Sequence, residues 1–152
     1  MRHIVIALAL ALLVGLVGLA APVWADQHAT VVRTLAEQGD AKAQFALGTM
    51  YRDGQGVERD YDEALSWWRK AAEQGVVDAQ YALGNAYSGG TGIARDNVLA
   101  YMWYDIAAAQ TGAGWLSAIA GTNRDVLVAR MTSADLAKAK RLAAEWMAEH
   151  GK

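Results

Sequence analysis

Apolar residues recur at helical spacing along the chain after residue 26, and no stretch alternates apolar and polar residues with a period of two. The segments 41–52 and 61–74 each carry apolar residues three and four positions apart, as the buried stripe of a helix does. Gly54 and Gly75 follow these segments, where glycine closes a helix by adopting the left-handed conformation. The pattern therefore predicts an all-α protein built from helix–loop–helix units.

The middle of the chain repeats itself. Ala43 to Gly48 recurs 36 residues later as Ala79 to Gly84. The same shift relates further glycines, aromatic residues and Arg-Asp pairs, namely Tyr51 and Tyr87, Gly54 and Gly90, Gly56 and Gly92, Arg59 and Arg95, Asp60 and Asp96, and Trp67 and Trp103. One unit cannot bury both of its faces, so the two units are predicted to stack into a short solenoid, an α-α superhelix.

The second helix of each unit is predicted to begin at an aspartate. Asp60 and Asp96 stand where an N-cap belongs, because a short carboxylate accepts hydrogen bonds from the free N–H groups of the first turn. Glu63 follows Asp60 by three residues, which is the spacing of a capping box. In the second unit the equivalent residue is Leu99, so only the N-cap itself is predicted there.

Large and small side chains are expected to interlock between the two helices of a unit. In the first helix Ala43, Ala46 and Gly48 leave a shallow groove, and Trp67 of the second helix is predicted to fill it. The recurring aromatic residues are predicted to be core residues for the same reason, namely Tyr51, Tyr87, Trp67 and Trp103.

The first 25 residues read as a secretory signal. A short basic start precedes an unbroken apolar run at 4–21, and small residues at Val23 and Ala25 favour cleavage after Ala25. The alternative is an uncleaved anchor, since the run has roughly the minimum length of a membrane span. The predicted organisation is a signal peptide at 1–25, an N-terminal capping helix at 26–39, repeats at 40–75 and 76–112, and a helical C-terminal cap at 113–152.

The repeat pattern ends at Gly112. In the C-terminal cap, 126–131 is predicted to be a short helix and 136–149 the last helix. Thr132 is placed to cap that last helix. Its basic cluster, formed by Lys138, Lys140 and Arg141, is predicted to be a solvated face.

Charge and composition exclude several classes of function. A net charge of -2 gives no electrostatic reason to expect nucleic acid or an anionic lipid surface as partner, so contact with a membrane is predicted only through the signal segment. The chain has no cysteine, which excludes disulfides, lipid attachment to an N-terminal Cys and thiol catalysis.

No residue pattern predicts a catalytic, metal or cofactor site. The three histidines, His3, His28 and His150, lie far apart, and none forms a metal-ligand pair or a partner for a nucleophile. The glycine-rich segment 89–95 lacks the Gly-Lys-Ser/Thr ending of a phosphate-binding loop and matches the connector at 54–56 instead. We therefore predict a non-enzymatic protein without cofactor.

The repeat closely resembles the SEL-one-like repeat family, a branch of the tetratricopeptide-like helical repeats. Residues 36–111 carry Ala-Gln-x-x-Leu-Gly-x-x-Tyr, Gly-x-Gly-Val/Ile-x-Arg-Asp, Ala-x-x-Trp-Trp/Tyr and Ala-Ala-x-Gln in order. The resemblance implies a right-handed superhelix and an adaptor or scaffold that holds other proteins in the cell envelope or a secretory compartment. Some cysteine-rich members are linked to penicillin binding or hydrolysis, and this chain departs from them because it has no cysteine.

A second stripe on the first helices is the candidate partner-binding surface. By analogy with tetratricopeptide-type repeats it lines the inner, concave face, where mixed aromatic and polar side chains suit an extended peptide or a partner helix. Its predicted members are Lys42, Phe45, Thr49, Arg52, Asp78, Tyr81, Asn85 and Ser88. The alternative is that Phe45 and Tyr81 pack against each other between the units.

These observations favour an exported helical-repeat adaptor that binds a protein or peptide. One alternative is a module that binds cell-wall polysaccharide, because an aromatic-lined groove suits sugars as well. A β-lactam hydrolase-like enzyme is a further alternative that no residue pattern supports. Two units make a short groove, and the oligomeric state stays open, with self-association through the ends of the stack as one possibility.

Overall fold

The computed structural model describes residues 23–90 and 92–151. Within them the chain forms seven α-helices and no β-strand, which confirms the all-α prediction. The helices are α1 (Val23–Glu37), α2 (Ala41–Asp53), α3 (Tyr61–Glu73), α4 (Val77–Gly89), α5 (Asn97–Ala109), α6 (Trp115–Val128) and α7 (Ser133–His150).

The helices pack largely in chain order, as in a solenoid. Helix α2 packs on α3, and α4 packs on α5, so each repeat is one helix pair. The pairs stack because α3 also packs on α4, while α1 packs on α2 and α5 packs on α6. Helix α7 departs from this order, since it packs on α5 rather than on the preceding helix.

Both predicted N-caps are confirmed. Oδ1 of Asp60 accepts hydrogen bonds from the backbone N–H groups two and three residues ahead, at 2.9 and 3.0 Å. Oδ1 of Asp96 does the same at 2.9 Å for both bonds. Gly54 and Gly90 end the preceding helices with φ of 70° and 66°, a conformation that costs a side chain far more than it costs glycine.

The predicted capping box at the start of α3 is wrong. The backbone N–H of Asp60 donates to the carbonyl of Tyr51 at 2.9 Å and is therefore not available to Glu63. The Glu63 carboxylate instead accepts from the indole N–H of Trp67 at 3.1 Å, one helical turn further along. The carbonyl of Tyr51, in the last turn of α2, thus accepts the N–H that a capping box would use.

The two helices of each repeat meet closely at a glycine. A Cβ atom added to Gly48 would lie 2.5 Å from Cδ1 of Trp68 and 2.9 Å from the carbonyl oxygen of Ala64. A Cβ atom added to Gly84 would lie 2.5 Å from Cδ1 of Tyr104. Both aromatic rings are buried. The glycine thus provides the space in which the ring of the second helix lies.

The ring that fills this space is Trp68, so the prediction of Trp67 is wrong. Adjacent residues point about 100° apart on a helix, and α3 is rotated so that Trp68 lies on the side of the fully buried Ala64 and Ala71. Trp67 is half-buried, and Lys70 lies over its ring at 3.8 Å.

The other predicted core aromatic residues are more deeply buried in the second repeat than in the first. Trp103 and Tyr87 of the second repeat are buried. Tyr51 of the first repeat is only half-buried and lies at the edge of the core. The second repeat is enclosed on more sides, because α6 and α7 both pack on α5.

Buried glutamine side chains join one repeat to the next. Nε2 of Gln44 donates to the carbonyl of Ala36 at 3.2 Å, and Nε2 of Gln80 donates to the carbonyl of Ala72 at 3.2 Å. Each bond is made to a carbonyl near the end of the preceding helix, which also accepts a backbone N–H from Gly39 or Gly75. Because both glutamines are buried, these bonds fix how the first helix of a repeat lies on the second helix of the unit before it.

The cap begins with a change in backbone course at Gln110. Gln74 closes the first repeat with ψ of 7°, whereas Gln110 is extended with ψ of 113°. Gly112 and Gly114 follow with positive φ, and α6 starts at Trp115. The predicted short helix at 126–131 is therefore wrong, because these residues overlap the end of a longer helix and the turn after it.

The last helix agrees with its prediction. Oγ1 of Thr132 accepts from the backbone N–H of Asp135 at 3.1 Å, as an N-cap does. Trp146 packs edge-on against Trp103 of α5, with ring centroids 5.5 Å apart. The predicted basic face is exposed, namely Lys138, Lys140 and Arg141.

Helix α1 begins at Val23, upstream of the predicted cleavage point after Ala25. The predicted apolar run at 4–21 lies outside the described residues. Among residues 23–90 and 92–151, no helix has the length and hydropathy needed to cross a membrane.

The glycine contact gives a first testable prediction. Gly48→Ala is expected to lower the free energy of unfolding by about 1–3 kcal/mol, because the new methyl meets the backbone of α3 as well as a buried ring. Gly121→Ala in α6 is the matched control, since its Cβ would meet only Ala108 Cβ at 3.8 Å. That control is expected to raise stability by up to about 1 kcal/mol through helix propensity. Urea denaturation of both variants measures the difference, and equal stabilities would contradict the close-contact argument.

A second prediction concerns the cap of α3. Asp60→Ala is expected to lower the free energy of unfolding by about 1 kcal/mol, because the first turn loses two hydrogen bonds. Asp60→Asn keeps an accepting oxygen and is expected to retain most of the stability. Thermal unfolding followed by circular dichroism compares the two variants. A loss of stability in Asp60→Asn as large as that in Asp60→Ala would show that the cap is not the cause.

Candidate partner-binding site

A groove of about 340 Å³ lies between α2, α3, α4 and the start of α6. Its lining is mostly aromatic and aliphatic, with three polar or charged side chains among the walls. The lining residues are Phe45, Arg52, Tyr61, Leu65, Trp68, Asp78, Tyr81, Ala82, Asn85, Ala86, Trp115 and Leu116. The groove is therefore built from both repeats and from the first residues of the cap.

Five of the eight residues of the predicted stripe line this groove, namely Phe45, Arg52, Asp78, Tyr81 and Asn85. The other three do not. Lys42 is exposed, Thr49 turns its hydroxyl to the carbonyl of Phe45 at 3.1 Å, and Ser88 is half-buried. The structure thus brings together the aromatic members of the stripe and separates its two ends from them.

The two aromatic residues of the stripe are held by the core and face the groove at the same time. Phe45 and Tyr81 are half-buried and pack against the main hydrophobic core. The ring of Tyr81 lies 5.8 Å from that of Tyr104, and its hydroxyl accepts from Nδ2 of Asn123 at 3.2 Å. Tyr81 is therefore positioned by its own repeat and by α6.

Trp115 is a groove residue that the sequence analysis did not identify. It is the first residue of α6, and its side chain is 72% exposed. A large exposed aromatic side chain beside an apolar groove is characteristic of an interaction surface. The available signal was a tryptophan directly after Gly112 and Gly114, where the repeat pattern ends, but nothing in the sequence placed it beside α2 and α4.

One cation and one anion line the groove, so the site has no strong net charge. Arg52 donates to both carboxylate oxygens of Asp53, at 2.7 and 2.8 Å, and these hydrogen bonds lower the pKa of Asp53. The guanidinium also lies 5.7 Å from the ring of Trp68. Arg52 is therefore partly neutralised at the wall of the groove, while Asp78 stays exposed.

The side-chain amide of Asn85 is oriented by a hydrogen bond from Tyr104 of α5. The hydroxyl of Tyr104 donates to its Oδ1 at 2.6 Å, and burial raises the pKa of Tyr104, so the phenol remains a donor at neutral pH. With its oxygen engaged, the amide nitrogen of Asn85 is left as a hydrogen-bond donor at the groove. The groove thus offers apolar walls with a few directed polar groups, which is the usual composition of a binding site.

Several of the side chains that act as nucleophile or base in hydrolases are absent from the lining. None of the groove residues is a serine, threonine, cysteine, histidine or lysine, so the groove itself has no side-chain nucleophile paired with a base. Among the residues that the structure describes, no group of three histidine, cysteine, aspartate or glutamate side chains is placed to hold a metal ion. The arrangement favours binding through surface contact.

Comparison with known proteins agrees with this architecture. The Sel1 repeat matches residues 41–76 and 77–111. A protective antigen of uropathogenic Escherichia coli strains, which displays an SLR fold, is 32% identical with a TM-score of 0.77, over 87% of this chain and 27% of the antigen. A Sel1 repeat protein from Oxalobacter formigenes is 35% identical with a TM-score of 0.60, over 80% of this chain and 50% of that protein.

No curated protein sequence matches the chain. The chain spans half or less of the length of the two solved structures described above. Sel1 repeat proteins generally mediate protein–protein interactions and are typically non-catalytic scaffolds. With two Sel1 repeats in tandem and the α-solenoid fold of these structures, the chain belongs to the SEL-one-like repeat family.

Proposed function

We propose that the chain is an exported adaptor of the cell envelope that binds a protein or peptide partner in the groove between its two repeats. The observation that carries the proposal is the groove itself, with Phe45, Tyr81 and Trp115 around one apolar space of about 340 Å³. Partly exposed aromatic residues are the side chains that contribute most to the affinity of protein interfaces.

The walls suit a partner that brings apolar side chains and a few polar groups. The amide of Asn85 and the carboxylate of Asp78 are available for hydrogen bonds, and Arg52 offers its remaining donors to an acceptor. The helices around the groove have their backbone groups paired internally, so an extended peptide would find no strand edge to extend. Recognition in this groove therefore depends on side chains.

Export is the second part of the proposal, and it is supported by the sequence. A basic start, the apolar run at 4–21 and small residues at Val23 and Ala25 are the parts of a secretory signal. The absence of cysteine suits either redox environment, and the near-neutral charge gives no alternative destination such as nucleic acid. Cleavage after Ala25 would place the repeats in the periplasm or outside the cell.

Trp115 also favours a second candidate function, the binding of cell-wall polysaccharide. An exposed indole beside Asp78 and Asn85 offers a flat apolar surface with hydrogen-bonding groups next to it, which is a combination that suits a sugar ring. Co-sedimentation with purified peptidoglycan separates the candidates. Sedimentation that Trp115→Ala abolishes would favour the polysaccharide, and a protein that stays in solution would favour the adaptor.

A third prediction tests the groove directly. Trp115→Ala is expected to reduce capture of protein partners from an envelope extract at least tenfold, because it removes the exposed aromatic wall of the groove. Since the side chain is 72% exposed, the free energy of unfolding is expected to change by less than about 0.5 kcal/mol. Quantitative mass spectrometry of the retained proteins measures capture, and urea denaturation measures stability.

Val128→Ala is the matched control, since Val128 is an exposed apolar residue at the opposite end of the same helix and lies outside the groove. It is expected to retain the full set of captured proteins. The double variant Phe45→Ala with Tyr81→Ala is expected to lose the same proteins as Trp115→Ala. Capture that is unchanged in both groove variants would reject the groove as the binding site.

A further inference from the structure

Helix α1 occupies the place of a second helix, and no helix among the described residues pairs with it as a first helix. The shift of 36 residues that relates the repeats also relates α1 to α3, since Leu35-Ala36-Glu37-Gln38-Gly39 precedes the first repeat as Ala71-Ala72-Glu73-Gln74-Gly75 precedes the second. Helix α1 packs on α2 as α3 packs on α4. The residues of α1 on that face are buried, namely Ala29, Val32 and Ala36.

A neighbouring face of α1, about 100° around the helix, is open where the complete repeats are closed. In α3, Ala64 and Ala71 are fully buried, and the carbonyl oxygen of Ala64 lies close to Gly48 of the first helix. The residues at the same positions in α1 are His28, which is exposed, and Leu35, which is 44% exposed. Val31 lies between them and is 57% exposed. This face therefore has the position of a contact with a first helix, and no helix among residues 23–90 and 92–151 makes that contact.

Helix α6 shows the complementary feature at the other end of the stack. It follows α5 as α4 follows α3 and so has the place of a first helix, but α7 packs on α5 instead of pairing with it. Leu47 and Leu83 are fully buried in the first helices of the repeats, whereas Ile119 in α6 is 40% exposed. Val126 is 55% exposed and lies two helical turns further along the same face.

We propose that the open face of α1 in one copy of the protein packs on the apolar stripe of α6 in the next copy, so that copies join head to tail. The joint recreates the pairing of a first helix with a second helix that α2 makes with α3 and that α4 makes with α5. A second copy is the occupant that supplies both missing partners at once, because each copy has one open second helix and one open first helix. The solenoid then continues from one copy into the next.

The two contact surfaces differ, so the association is heterologous and every complex keeps one free surface of each kind. A single helix pair is smaller than the roughly 1,600 Å² of a standard protein interface, so the complex is expected to form at micromolar or higher concentrations. The inference is independent of the proposed function, because Ile119 and Val126 lie outside the groove.

The fourth prediction tests this association by light scattering. The protein is purified in the form that the expressing cell produces, and its mean mass is measured at about 10–1,000 µM. The mean mass is expected to rise above that of the monomer as concentration increases. An α1 variant, Val31→Asp with Leu35→Asp, and an α6 variant, Ile119→Asp with Val126→Asp, are each expected to remain monomeric. Lys140→Asp on the exposed face of α7 is the control and is expected to associate like the unchanged protein.

Mixing the two double variants distinguishes a head-to-tail joint from a symmetric one. Each variant retains the surface that the other has lost, so an equimolar mixture is expected to form a 1:1 dimer and nothing larger. Loss of association in only one of the variants, or a mixture that stays monomeric, would overturn the proposal, as would a monomer at every concentration. Circular dichroism checks that each variant is folded. If the α1 double variant is not folded, the single change Leu35→Ser replaces it, and Ile119→Ser likewise replaces the α6 double variant.

Discussion

The close approach of two helices at Gly48 and Gly84 is the contact on which the rest of the structure depends. A Cβ atom at either position would overlap an aromatic ring, so only glycine lets the ring of the second helix lie across the first. This contact also fixes the rotation of the first helix about its axis. Phe45 precedes Gly48 by three residues and points about 60° away from it, which directs its ring beside the helix contact and into the groove.

The groove exists because the repeats stack in one fixed way. Gln44 and Gln80 are buried, and each holds a carbonyl of the preceding unit, so the stacking does not rest on apolar contact alone. Apolar surfaces can slide past one another, whereas a buried amide without its partner costs about 1–3 kcal/mol. The amides thereby set Arg52 of one repeat across from Asp78 of the next, and neither repeat contains the groove by itself.

Features that follow from the 36-residue repeat could be predicted from the sequence alone. Features that depend on the rotation of a helix about its axis, or on the direction of the backbone between helices, could not. The helix units, the caps at Asp60 and Asp96, and the two groove residues Phe45 and Tyr81 follow from residues that recur 36 positions apart. Trp67 and Trp68 are adjacent and chemically identical, so only the rotation of α3 decides which one is buried. Trp115 was missed because the extended backbone at Gln110 places α6, and no repeat signal reaches that far.

Trp68 and Trp115 carry the same side chain, but the indole of Trp68 is buried in the core and that of Trp115 is mostly exposed to solvent. The buried indole of Trp68 removes about 150–250 Å² from water, which at roughly 25 cal/mol per Å² amounts to several kcal/mol before entropy is subtracted. Trp115 keeps 72% of its surface exposed and therefore gains only a small part of that energy within the chain. Because folding leaves most of this apolar surface in water, the remaining gain is available only to a molecule that covers it.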